Sequence, residues 1–282
     1  MNQLSLFCDN TELIEKNSQL IGKYLLGKDT ITKVKLRYED LKANFNAVTF
    51  DEWDGSRKYP LWKFSSGLTP YMDYDDTSTV PIPFSNKLFK MQDTIVSFDF
   101  PVWFNLGADT ARRVLFISQD PIPRSIKWYQ NCEDALCSIV FGLHNPLWRE
   151  KGNGGKRMWL LIQALVENGC GVYITDSHKL AIQSRDGEIL NPTESQTAVY
   201  RDLLKAEIDM IKPRLIVTFG NIAGSMMDFI ATQEVPVLNL PHFSGLSQGK
   251  IKKYFNWPEE KQFPIEDQAT CYSKTIIKNI PL

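Results

Sequence analysis

Residues 114–124 read VLFISQDPIPR. The apolar run Val114 to Ile117 has the short, continuous pattern of a parallel strand buried on both faces, and it stops abruptly at Ser118-Gln119-Asp120-Pro121. Chemistry in open α/β sheets sits outside that end of the strands. A proline that ends the strand and sets the next turn leaves the Asp120 carboxylate aimed into a crevice rather than into the core.

Downstream, Val172-Tyr173-Ile174-Thr175 reads as a second strand that also ends on a carboxylate, Asp176. Thr193 and Gln196 have capping-box spacing, and the helix they open carries Val199, Leu203, Ala206 and Met210 on one stripe before Pro213 closes it. Leu215 to Phe219 is a third strand, turning at Gly220 into a helix containing Ile222 to Ile230. Val235 to Leu240 is a fourth, placed at an edge by Pro236, and it delivers Pro241-His242-Phe243-Ser244-Gly245-Leu246-Ser247 ahead of Lys250, Lys252 and Lys253. Strands alternating with helices imply a three-layer α/β/α sandwich around a four-stranded, mainly parallel central sheet. Asp120, Asp176 and His242 then share one sheet edge, which makes one site of residues far apart in sequence.

Upstream, Thr11 to Leu26 has the period of an amphipathic helix with Gly27 as its stop, and Lys33 to Phe50 has room for another. Asp51 to Phe100 is rich in aromatics and proline without a sustained period and reads as a long irregular elaboration. Its acidic cluster Asp73, Asp75 and Asp76 reads as a solvated loop, wrong in sign for phosphate contact. The expected division is an N-terminal elaboration over 1–95 and a catalytic domain over 96–282. Gly152-Asn153-Gly154-Gly155 follows no strand, so it reads as a connector before a helix over Lys156 to Glu167 rather than as a phosphate cradle.

With 282 residues, 43% hydrophobic and 23% charged, the composition is that of a soluble protein large enough for one substantial core. No apolar segment reaches membrane-spanning length, and Met1 to Asn10 lacks a signal-peptide pattern, so cytoplasm is the expected compartment and no membrane is expected. Five cysteines with no CxxC pair fit reduced thiols; Cys132, Cys137, Cys170 and Cys271 match no familiar cluster spacing, and neither metal nor cofactor is expected. A net charge of -1 confines any nucleic-acid surface to a local patch.

On two motifs the chain resembles the uracil-DNA glycosylase superfamily. The family's first motif, commonly GQDPY, corresponds to Ser118-Gln119-Asp120-Pro121-Ile122, and its second, HPSPLS, to His242-Phe243-Ser244-Gly245-Leu246-Ser247. Ile174-Thr175-Asp176 resembles the family's strand that ends in Asn, and Val217 to Ala223 its strand-glycine-helix segment; the resemblance spans roughly Val114 to Phe255. It implies a DNA glycosylase with DNA as partner, no cofactor and no obligate protein partner. Asp120 would stabilise the sugar cation and orient water, and His242 would donate to the pyrimidine O2 of the leaving base. The Gln119 amide would add to that pocket, Phe141 would stack on the flipped base, and Leu246 would fill the hole it leaves. Ser244, Ser247, Lys250, Lys252 and Lys253 would grip phosphates.

Two departures bear on the substrate. Asp176 replaces the Asn that reads uracil; ionised, it repels O4 but accepts from a cytosine amine, with one extra proton needed for full pairing. Ile122 replaces the Tyr that closes the space beside C5. Together they point to a 5-modified cytosine, such as the hydroxymethylated or glucosylated base of phage DNA, and so to antiviral defence. The alternatives are uracil excision in base excision repair, a non-catalytic nucleic-acid-binding relative, and an α/β enzyme acting on a small nucleotide. An Asp after a strand is commonly a helix cap, an aromatic such as Phe141 is commonly core, and His144 and His178, outside both motifs, read as structural.

Overall fold

The computed structural model describes residues 10–44, 94–107, 110–121, 136–143, 149–150, 153–184, 187–230, 235–243 and 247–281. The strands are β1 (Thr94–Asp99), β2 (Val102–Phe104), β3 (Arg112–Ser118), β4 (Leu136–Ser138), β5 (Cys170–Asp176), β6 (Leu180–Gln183), β7 (Ile189–Leu190), β8 (Leu215–Phe219) and β9 (Val237–Leu240). The helices are α1 (Thr11–Ile21), α2 (Ile31–Asn44), α3 (Asn153–Glu167), α4 (Glu194–Ile211), α5 (Asn221–Asp228), α6 (Gln248–Tyr254) and α7 (Ile265–Asn279).

The principal sheet has the order β2-β5-β3-β8-β9, with the organising strand β3 at its centre. β3 pairs in parallel with β5 and β8, and β8 with β9, so the four expected strands run the same way. Val114 to Ile117 are fully buried, as are all seven residues of β5, which is why these segments carry no alternation. β9 is the edge strand, with Val237 exposed, as Pro236 requires. Among the described residues this sheet has five strands rather than four: β2 adds an antiparallel edge on β5. At three residues it is too short for periodicity to reveal.

A second sheet, β4-β1-β6-β7, includes Thr94–Asp99, a strand at the end of the Asp51 to Phe100 segment that was expected to be irregular; residues 51–93 lie outside the described residues. β1 is parallel to β4 and antiparallel to β6, with a bulge between Ile95 and Ser97. Only Ser177-His178-Lys179 separates β5 from β6, so the two sheets join at the carboxyl end of β5. Thr193 and Gln196 form the expected capping box on α4, and Lys212 ends that helix in the left-handed conformation ahead of Pro213. The buried stripe of α4 is Tyr200, Leu203, Leu204, Glu207, Ile208 and Ile211, rotated from the expected one; Val199, Ala206 and Met210 are only half-buried. The rotation buries a carboxylate, Glu207, which a hydrophobic pattern cannot anticipate. α3 begins at Asn153 and takes in Gly154 and Gly155, which were expected to be connector.

α1 opens on Asn10, whose side chain accepts from the Leu13 amide, and runs into a π turn over Gly22–Leu26 before Gly27. It packs on α2 and on α4. Tyr38 of α2 donates to the Pro101 carbonyl at 3.0 Å and stacks on Phe100 at 4.0 Å. The acidic cluster, Cys132 and His144 lie outside the described residues. Among the described residues no helix is long and apolar enough to cross a membrane.

Candidate active site

β3 and β5 run in register from Arg112 beside Cys170 to Ser118 beside Asp176. Beyond the strands the pairing continues through the loops. The Ser177 amide donates to Ser118 O at 3.0 Å, the His178 amide to Gln119 O at 2.9 Å, and the Ser177 hydroxyl to Gln119 O at 2.8 Å. The first-motif loop is thus held on the exit of β5, and Gln119 Nε2 donates to Asp120 Oδ2 at 2.6 Å. On its far side Ser97 of β1 donates to the Pro121 carbonyl.

His242 arrives on a parallel route. The Gly220 amide donates to Leu240 O at 2.9 Å, so the chain leaving β9 follows the chain leaving β8. Gly220 has φ 90°, and a Cβ there would stand 3.2 Å from the His242 Cβ. Glycine is therefore required by the backbone and by the histidine together. From behind, Tyr272 of α7 donates to Pro241 O at 2.8 Å, and Arg157 of α3, itself buried, donates to Phe243 O. Phe243 is fully buried and meets Tyr272 edge-on at 4.6 Å, so it anchors the loop from which His242 projects.

Phe141 lies beside His242, with ring centroids 5.3 Å apart. It sits in a tight turn at φ 55°, a conformation unusual for a residue with a Cβ. Such strain recurs at functional sites, and here it places a half-buried aromatic face against the histidine.

The electrostatics converge on Asp120. Its charge acts to raise both His242 and His178, yet burial outweighs it and holds both imidazoles below the usual histidine value. Each is a neutral ring at neutral pH, with one N–H to donate. Asp120 also acts on Asp176, which is 2% exposed and whose Oδ1 has no hydrogen-bond partner among the described residues. Burial first, then Asp99 and Asp120, push the Asp176 carboxyl well above the ordinary aspartate value, against the opposing pull of Lys179.

Asp176 stands over a buried ionic cluster. Asp99 Oδ2 accepts from the Asp176 amide at 3.1 Å and from Lys179 Nζ at 2.7 Å. Lys179 Nζ also pairs with Glu207 Oε2 at 2.7 Å and donates to Thr175 Oγ1, whose hydroxyl lies between the two carboxylates. Tyr173 extends the cluster to Asn17 of α1. Asp99, Glu207, Arg157 and His178 were not among the expected site residues. Asp99 had a legible signal: like Asp120, it ends an apolar strand one or two residues before a proline, in Ile95-Val96-Ser97-Phe98-Asp99-Phe100-Pro101. Glu207 and Arg157 had none, since each is one of several charges in its helix and nothing in the sequence marks it as the buried one.

A cleft of about 600 Å³ opens beside His242, lined by Gln119, Asn239, Ser247, Lys250 and Tyr254 among others. Asp120, Phe141 and Asp176 do not line it. Lys250 and Lys253 are exposed on α6, whereas Lys252 Nζ donates to the Glu259 carbonyl at 2.7 Å. Ile122, Ser244 and Leu246 lie outside the described residues. Among the described residues no group of three or more His, Cys, Asp or Glu side chains is placed to hold a metal ion.

A sequence model of the uracil DNA glycosylase superfamily matches residues 104–263, more than half of the chain. No curated protein matches it. Among solved structures, the chain is similar to the solution NMR structure of a protein from Methanosarcina acetivorans provisionally named a uracil DNA glycosylase. The two are 16% identical, with 65% of this chain and 97% of that one covered, at a TM-score of 0.32. That likeness is too slight to carry an argument about this site.

Proposed function

The chain belongs to the uracil DNA glycosylase superfamily, and from that premise we propose that it is a DNA glycosylase that flips out a modified pyrimidine and hydrolyses its N-glycosidic bond. The observation that carries this reading is the convergence of Asp120 and a neutral His242 from two parallel strand exits, with Phe141 at the histidine's side. In the reaction the C1′–N bond breaks with its electron pair leaving on the base. Asp120 stabilises the positive charge left on the sugar and orients the water that attacks C1′; the water's hydroxyl stays on the sugar and its proton leaves to the base or solvent. The His242 N–H, aided by the Gln119 amide, stabilises the anionic charge developing at O2. Phe141 stacks on the extruded ring and Leu246 fills the gap in the duplex, while Ser244, Ser247 and the lysines of α6 hold phosphates. The catalytic unit in this reading is 96–282, its principal sheet the middle of three layers, and 1–95 is an N-terminal elaboration.

For substrate, the reading takes a cytosine substituted at C5. Its support is Ile122 in place of the ring that would close that space, together with a carboxyl, Asp176, at the base-reading position. Excision of plain cytosine would destroy the host genome, so a modification must be the licence; phage DNA is one place where such bases occur, and antiviral defence is the role this reading proposes. A second reading, uracil excision in repair, is favoured by one observation, the burial of Asp176, which removes the charge that would repel O4.

Oligonucleotides carrying uracil, cytosine, 5-hydroxymethylcytosine or its glucosylated form, incubated with protein and then cleaved by alkali at abasic sites, separate the readings. Cleavage confined to the 5-modified cytosines is expected. Cleavage at uracil alone would establish the second reading, and binding without cleavage of any strand would defeat both. Asp120→Asn should lower excision by about 10²–10³-fold, the scale for losing one preorganised electrostatic group, with DNA affinity retained. Wild-type turnover in that variant would remove Asp120 from the mechanism.

A further inference from the structure

We infer that Asp99, backed by Lys179 and Glu207, is a positioning set that keeps Asp176 a neutral carboxylic acid, and that this acid reads the ring edge of the flipped pyrimidine in either hydrogen-bonding order. The inference deepens the glycosylase reading above and rests on it.

The geometry is that of a site built to leave a carboxyl without a cation of its own. Among the described residues Lys179 is the one ammonium buried with three carboxyl groups, Asp99, Glu207 and Asp176. Its nitrogen is committed to Asp99 and Glu207 at 2.7 Å each and to the Thr175 hydroxyl. Asp99 turns one oxygen toward the Asp176 amide, which fixes the end of β5 and sets a negative charge behind the Asp176 side chain. Asp176 therefore faces Asp99 from β1, Asp120 from the first-motif loop and Glu207 from α4, all anionic when ionised, with Lys179 as the opposing cation. A buried carboxyl in such company takes up a proton rather than bear an unpaired charge. Its Oδ1 is buried with no hydrogen-bond partner among the described residues, an unsatisfied polar atom at the end of β5 that a base entering there would satisfy.

The chemistry then differs from that of an anion. A neutral carboxyl offers one O–H donor and one C=O acceptor. With the proton on one oxygen it donates to O4 and accepts from N3–H, the uracil pattern. With the proton on the other it accepts from the N4 amine and donates to N3, the cytosine pattern. The exchange needs no rotation of the side chain, so Asp99 can hold the backbone rigid while either base is read. Discrimination then passes to the C5 side of the ring.

The test uses the full chain with ¹³C-labelled aspartate carboxyls, in wild type, Asp176→Asn, Asp99→Asn and Glu207→Gln. Without DNA, one aspartate carboxyl resonance should stay protonated well above the ordinary aspartate range, vanish in Asp176→Asn, and titrate about one pH unit lower in Asp99→Asn, the smaller end of what a neighbouring like charge produces. Glu207→Gln should move it the same way, which guards against misfolding of Asp99→Asn. Single-turnover excision of 5-hydroxymethylcytosine should fall as pH rises through that titration, with the fall displaced to lower pH in Asp99→Asn and absent in Asp176→Asn. The absence of a high-titrating aspartate overturns the inference whether or not the protein cuts. So does a uniform loss of rate at every pH in both Asp99→Asn and Glu207→Gln, the result of a merely structural role. A normal titration with no excision from any oligonucleotide overturns instead the glycosylase reading, and the reader role with it.

Discussion

At the scale of single residues, Gly220 shows how closely backbone and chemistry are tied. Its φ of 90° is a region nearly closed to residues with a Cβ, and a Cβ added there would stand only 3.2 Å from the His242 Cβ. Gly220→Ala should cost about 1–3 kcal/mol of stability, the scale of one strained backbone position, measured as a lower urea midpoint. Excision should fall by more than the loss of folded protein explains, because the new methyl group pushes on the histidine. Phe141 is a second such position: its strained turn sets its ring 5.3 Å from His242. An ordinary core phenylalanine has no need of that turn.

At the scale of elements, β5 and α4 meet over the buried cluster, and the pH dependence of stability belongs to that contact. Burial pushes Glu207 up to about 7 from an ordinary value of 4.5, Lys179 notwithstanding. Between those values the folded chain holds a proton that the unfolded chain has released, so this group's contribution to stability declines as pH rises across that window and levels off above it. Glu207→Gln has no proton to lose. Its urea midpoint, taken relative to wild type, should therefore improve steadily from pH 4.5 to 7; a pH-independent difference would mean that Glu207 does not change its protonation there. The cluster also explains the rotation of α4, whose inward face is chosen by a salt bridge as well as by leucines. Through Tyr173 and Asn17 it ties α1 to the same core, so the N-terminal helices brace the strand that ends in Asp176.

At the scale of the whole molecule, a net charge of -1 gives no overall basic footprint, so the proposed DNA binding falls to a local patch of cations. Among the α6 lysines, Lys252 already serves the Glu259 carbonyl, while Lys250 and Lys253 are exposed. Replacing Lys250 and Lys253 by Ala should reduce the slope of log affinity against log salt by about 2, close to one unit for each phosphate no longer neutralised. The check is a fluorescence-anisotropy salt titration in the Asp120→Asn background, where the proposed role of Asp120 makes excision slow. An unchanged slope would move the phosphate-binding surface to another face.

Four parallel strands, the order of their helices and the common edge carrying Asp120, Asp176 and His242 were legible in the chain, because buried strands write themselves as short apolar runs and the motifs sit where those runs end. The family match over residues 104–263 encloses the span that those motifs marked. The fifth strand and the second sheet were not legible: the three residues of β2 are too few for a period, and although apolar residues mark a strand before Asp99, its partners β4 and β6 lie far along the chain. Nor was the electrical state of Asp176. A sequence places a carboxyl at a strand end, but whether that carboxyl is charged depends on Asp99, Lys179 and Glu207, brought beneath it from three other elements, and on the water they exclude.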